Sequence, residues 1–153
     1  MKAWAIGGIA FAVVIGALLP LQALINARLG AQTQGPLYAA FVSFLVGTCL
    51  LGALLLATRT PLWPAQPLAA LPAWIWLGGV IGAAFVYAAT LLVPTLGAGA
   101  MICLVVLGQV LGSLALDHYG VLGTQRPIDL LRVLGGVLVI VGAALVVRPW
   151  QPH

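Results

Sequence analysis

A chain of 153 residues that is 63% hydrophobic and 5% charged, with a mean hydropathy of +1.21, is excluded from the soluble domains, which carry about 25% charged residues. Six basic residues against two acidic ones give a formal charge of +4, too thinly spread over the loops and ends to form a nucleic-acid patch. Cys49 and Cys103 each fall inside an apolar run and read as core thiols, not as a disulfide or a metal pair.

Five apolar stretches, at 3–27, 36–57, 72–93, 98–116 and 130–147, fill the chain. About 20 apolar residues at 1.5 Å rise each cross a hydrocarbon core of ~30 Å. The expected architecture is therefore all-α: a polytopic membrane protein with five transmembrane helices in a single transmembrane domain, 1–153. An odd number of crossings places the two termini on opposite faces, and five helices are few for a complete transport pathway.

The first stretch follows Met1-Lys2 and imitates a signal peptide, but Leu21-Gln22-Ala23 is a poor cleavage site, so it reads as the first span. Pro20 is expected to kink it and to free a carbonyl one turn back. After the second span, Pro61, Pro64 and Pro67 keep the linker 58–71 extended and non-helical. Pro94-Thr95-Leu96-Gly97 reads as a tight hairpin that makes spans three and four antiparallel neighbours. The polar connection 117–126 leads to Pro127 at the first helical position and Asp129 in the first turn of span five. Trp4, Trp63, Trp74, Trp76 and Trp150 all sit near segment ends or in connections, as an aromatic belt requires.

Orientation follows the basic residues. Lys2, Arg59, Arg126 and Arg132 collect on the N-terminal face, with Arg28 and Arg148 opposite. The balance favours a cytoplasmic N-terminus by a small margin, of the size that a protein inserting both ways would need.

Helices associate in lipid through close packing and interhelical hydrogen bonds, because the tails are as apolar as Leu. Small residues four apart at Ala12/Gly16, Ser43/Gly47, Gly78/Gly82 and Gly108/Gly112 provide candidate packing faces. Gly78/Gly82 and Gly108/Gly112 are the stronger pairs, because Gly79 and Ser113 widen their surfaces, although so much Gly and Ala yields such pairs by chance as well.

Each polar side chain inside a span is informative. Gln109, near the middle of span four, must face a helix or a wet cavity, since its amide has up to four hydrogen-bonding sites. Ser113 and Asp117 continue its stripe at i+4 and i+8. The stripe is either a polar lining or, at Gln109, interhelical glue. Asp117 reads first as an interfacial acid paired with Arg126 or Arg132, and second as a coupling or gating group. Gln22 and Asn26 form another i, i+4 stripe past Pro20, suited to a binding cavity. The alternative is a helix end surfacing among hydrated headgroups. Tyr87 and Thr90 on span three add a phenol and a hydroxyl. The candidate substrate-binding set is thus Gln22, Asn26, Tyr87, Gln109 and Ser113.

No Asp, Glu, Lys or Arg occupies the centre of a span. A strongly cationic substrate is poorly provided for, and a neutral or polar one fits better. Asp117 and His118 are adjacent and diverge on a helix by roughly 100°. No HExxH, aspartate pair or Ser/His constellation exists, so no catalytic residue, metal or cofactor is expected, and the chain does not read as an enzyme. His153, the terminal residue, carries no role.

The run Leu21-Gln22-Ala23-Leu24-Ile25-Asn26-Ala27-Arg28-Leu29-Gly30 resembles the first-helix signature of the YdcZ-type proteins, the short five-helix bacterial members of the drug/metabolite transporter superfamily. The resemblance continues through 42–47 and 78–82, then Val93-Pro94-Thr95-Leu96-Gly97, Gly108-Gln109, Asp117-His118-Tyr119-Gly120 and Leu134-Gly135. It implies one inverted-repeat half of a ten-helix transporter, completed by a second five-helix chain, identical or homologous, in the opposite orientation. It further implies a bacterial cytoplasmic (inner) membrane location and alternating access around a midplane site for a small polar metabolite or drug-like compound. It supplies no substrate. The competing expectations are a non-transporting membrane scaffold subunit and a flippase of a lipid-linked headgroup.

Overall fold

The computed structural model describes residues 3–64, 67–121, 123, 125 and 127–148, with side chains described from Ile6 onward. Five long helices carry it: α1 (Ala3–Gln32), α2 (Pro36–Ala57), α3 (Leu77–Leu96), α4 (Ala98–Tyr119) and α5 (Leu130–Val147). All five are long and apolar enough to cross a membrane. Lys2, Arg126, Trp150 and His153, and the side chain of Trp4, lie outside the described residues. The chain divides between Pro94 and Thr95 into two compact units, each built on a helical hairpin.

In the first unit α1 and α2 pack together. The helix α1 continues through Pro20 and past position 27 to Gln32, because its polar residues Gln22, Asn26 and Arg28 are as helix-compatible as the apolar ones. Pro20 has no N–H, so the Gly16 carbonyl loses its partner within an otherwise continuous helix. Ala23, Asn26 and Gly30 form a buried stripe at i, i+3 and i+7. The reversal that follows is tight. Thr33 Oγ1 donates to the Leu29 carbonyl at 2.7 Å, Gly35 takes φ 103°, and Pro36 opens α2 where a missing N–H costs nothing. At Gly30, an added Cβ would sit 3.2 Å from the Gly35 carbonyl carbon and 3.3 Å from Pro36 Cα. Only glycine lets the end of α1 approach this backbone.

The end of α2 is a Schellman motif. Arg59 N–H donates to the Leu56 carbonyl and Thr60 N–H to the Leu55 carbonyl, with Arg59 at φ 53°. Past it, the proline-bearing linker contains two short 3₁₀ turns, Leu68–Ala70 and Ala73–Trp76, and the α-helix proper begins only at Leu77. The delayed start follows from Pro72, whose extended backbone (φ −63°, ψ 140°) precedes the second turn. Trp63, Trp74 and Trp76 are exposed at 82%, 52% and 54% in the linker and this turn, positions that suit an aromatic belt.

The segment 94–97 is not a four-residue turn. Pro94, Thr95 and Leu96 belong to α3, and Gly97 alone (φ 76°) breaks the helix before α4. One turn before Pro94, Thr90 is fully buried and its hydroxyl donates to the Val86 carbonyl at 2.7 Å.

In the second unit α4 and α5 pack together, with Gly136 buried so that its Cβ position lies 3.6 Å from Leu114 Cδ1. A second Schellman motif closes α4: Gly120 (φ 64°) donates to the Asp117 carbonyl and Val121 to the Leu116 carbonyl. Asp129 is the N-cap of α5 and not a first-turn residue; its Oδ1 accepts from the Arg132 N–H at 2.8 Å. Pro127 accordingly lies before the cap.

Gly30→Leu is expected to cost about 1–3 kcal/mol by overpacking the α1–α2 reversal, measured by thermal unfolding in detergent beside Gly16→Leu. Gly16 has nothing within 4 Å, so equal losses in the two variants would show that the close approach is not the cause.

Candidate functional site

The polar centre of the first unit is the pair Asn26 and Ser43. Asn26 is 5% exposed and its Nδ2 donates to Ser43 Oγ at 3.3 Å, joining α1 to α2 inside the membrane span. Two adjoining cavities open around this bond. The larger, about 370 Å³, is lined by Gln22, Asn26 and Ser43 among Leu18, Ile25 and Val42. The smaller, about 210 Å³, shares Gln22 and Ser43 and adds Thr48, Phe44 and Val86. Gln22 therefore faces both, and it makes no hydrogen bond among the described residues. Neither cavity is lined by a charged side chain. The arrangement can hold a solute by apolar contact and orient it with two amides and two hydroxyls; it has no ion to offer.

Of the expected binding residues, the structure brings Gln22 and Asn26 together. Tyr87, 38% exposed on α3, lines neither cavity, although its neighbour Val86 lines the smaller. Gln109, Ser113 and Asp117 belong to the second unit and all three are exposed. Ser113 Oγ donates to the Val110 carbonyl of its own helix at 3.0 Å, whereas Gln109 has no hydrogen-bond partner among the described residues. Among the packing glycines, Gly82 has Phe44 at 3.6 Å, while Gly78, Gly108 and Gly112 have none of the described residues' atoms within 4 Å of an added Cβ.

Asp117 meets Arg132 across the α4–α5 hairpin, Oδ2 to NH1 at 3.7 Å. The other partner considered for it, Arg126, is outside the described residues. The pair is loose: Asp117 is half exposed, and Arg132 NH1 is buried without a hydrogen bond. His118 ties down the following loop, its carbonyl accepting from Gln125 Nε2 at 2.9 Å and its Nδ1 from the Ile128 N–H at 3.4 Å. Among the described residues, no three His, Cys, Asp or Glu side chains gather into a metal-binding group.

Ser43 and Thr48 are the cavity residues that sequence reasoning missed. Ser43 was legible only as a small residue paired with Gly47, because its partner Asn26 lies 17 residues earlier. Counting outward from the reversal at 33–35 would have set the two helices in register and placed Ser43 near Asn26.

Five candidate spans define an integral membrane protein, and its first unit carries an uncharged, largely apolar cavity. Residues 7–145 match the family model described as "Putative inner membrane exporter, YdcZ", and the chain belongs to this family of the drug/metabolite transporter superfamily. It is similar to the inner membrane protein YdcZ of Escherichia coli (strain K12), with 26% identity over 140 residues that cover 92% of this chain and 94% of the relative. No solved structure matches it. The protein is thus an inner-membrane protein of an exporter family, in keeping with a transporter and not an enzyme.

Ser43→Ala is expected to lower stability in detergent by about 0.6 kcal/mol, the mean for interhelical hydrogen bonds in membranes. A double-mutant cycle with Asn26→Leu checks it: additive losses would mean the two side chains do not interact.

Proposed function

We propose that this chain is one half of a secondary transporter. Two copies, or this chain and a homologue, insert in opposite orientations and form a ten-helix unit in which each chain is a single transmembrane domain. The unit exports a small polar metabolite or drug-like compound by alternating access, the two halves rocking around a central site.

Gln109 carries this reading. It is exposed in the middle of α4 and unpartnered among the described residues, and an amide left in hydrocarbon forfeits several kcal/mol. A second chain or a wet cavity must meet it. Gly108 and Gly112 beside it have none of the described residues within 4 Å of an added Cβ, which leaves room for another backbone to approach. The helices also leave most of their surface to other partners: 6–17% of each span's most apolar window is buried within the chain.

In this scheme Gln22 and Asn26 bind the solute in each half, while Gln109, Ser113 and Tyr87 line its route. Asp117 acts at the membrane surface, where forming and breaking the pair with Arg132 would gate the path. A non-transporting scaffold would instead bury Gln109 in dry packing. A headgroup flippase would need the cavity to open sideways to lipid.

Sided reporters fused after His153 are expected to give signal on both membrane faces when this chain is expressed alone; signal on one face only would remove the antiparallel homodimer. Gln109→Cys, in a chain with Cys49 and Cys103 replaced by Ser, is expected to react with a water-soluble maleimide. Complete protection would point to dry packing and the scaffold.

A further inference from the structure

The α1–α2 cavity is selective by what it lacks as much as by what it holds. Its volume, about 370 Å³, with the adjoining 210 Å³, falls in the lower part of the ~300–1,000 Å³ typical of ligand pockets. Leu18, Ile25 and Val42 represent a lining that is apolar except for Gln22, Asn26 and Ser43. Arg28, the charged residue closest along α1, does not line this cavity; it lines a neighbouring one with Gln32 that shares Ile25 and Leu29 with it. An ion entering the α1–α2 cavity would surrender its hydration with nothing of opposite sign in return.

The polar groups that are present have unused capacity. Asn26 is more than nine-tenths buried and commits its Nδ2 to Ser43 Oγ, which leaves Oδ1 as an acceptor with no partner among the described residues. Ser43, having accepted from Asn26, keeps its own proton to donate. One acceptor and one donor therefore stand side by side on an apolar wall. A single hydroxyl, which both donates and accepts, satisfies them together, and it does so for either orientation of the Asn26 amide.

We infer that the α1–α2 cavity binds an uncharged, mainly apolar solute through one hydroxyl group received by Asn26 and Ser43. This rests on the transport reading above and narrows its substrate class to the drug-like compounds, setting aside the polar metabolite.

Three probes with one ring system test it: 2-naphthol, 2-naphthoate and trimethyl-2-naphthylammonium. Val42→Cys on the cavity wall and Leu37→Cys, exposed outside it, are made singly in the full chain with Cys49 and Cys103 replaced by Ser. The rate of N-ethylmaleimide labelling is then measured in nanodiscs with each probe, the Leu37→Cys rate correcting for partition into lipid. The expected result is that 2-naphthol slows labelling at position 42 by about tenfold more than either ion, equivalent to ~1.4 kcal/mol of discrimination. Ser43→Ala, which keeps the shape of the wall, is expected to erase that protection. Equal or better protection by an ion would overturn the uncharged class and leave transport through this cavity standing. Protection by 2-naphthol that survives in Ser43→Ala would overturn the hydroxyl recognition alone. Protection by none of the probes would remove the cavity as a solute site, and with it the transport reading at Gln22 and Asn26.

Discussion

A hydrogen-bonding group inside hydrocarbon has no water to fall back on, and the organisation of this protein follows from that constraint. Backbone groups meet it by forming long helices, and several of the side chains that could violate it are held by a hydrogen bond. Asn26 turns to Ser43, Thr90 to the Val86 carbonyl and Ser113 to the Val110 carbonyl. The last two bonds are internal to their helices and bind nothing to anything else. The Asn26–Ser43 bond joins two helices, and the cavities form around it.

The close approach of α1 and α2 depends on the same economy. Gly30 has no side chain, so the end of α1 can lie against the Gly35 and Pro36 backbone, and that proximity extends along the buried stripe to Asn26 and Ala23. The segment Leu21–Gly30, on which the family resemblance rests, thus has a mechanical sense as well as a chemical one: Gly30 permits the close approach at the end of the helix pair that Asn26 and Ser43 join. At the α4 end, Gly120 in the family segment 117–120 takes the left-handed conformation that closes a Schellman motif, and an added Cβ there would meet Gln125 at 3.1 Å.

Among the described residues, charged side chains lie at the helix ends or about one turn inside them. Asp117 and Arg132 face each other across a hairpin, Asp129 caps α5, and Arg59 occupies the left-handed position at the end of α2. A chain arranged this way presents amides and hydroxyls within its spans and charged groups near the helix ends. Gln109 is exposed on α4 and, like Gln22, has no hydrogen-bond partner among the described residues. That unmet amide is what makes a second chain part of the functional reading.

Apolar runs of spanning length are local properties, so the sequence alone determined the five helices, the membrane setting and the absence of charge within it. Family membership was legible for the same reason, because its segments are contiguous. Helix ends were harder. The first span read as ending at Ala27 although α1 runs on to Gln32, and Pro94 read as part of a turn although the helix breaks only at Gly97. Proline restricts its neighbours without dictating where a hydrogen-bonded ladder stops. Only the tertiary structure decided that Ser43 and Thr48 join Gln22 and Asn26, that Tyr87 stands apart from those cavities, and that Arg132 reaches Asp117. Those pairings depend on the register and rotation of one helix against another, which are set by side chains many residues apart and leave no periodic trace in a single chain.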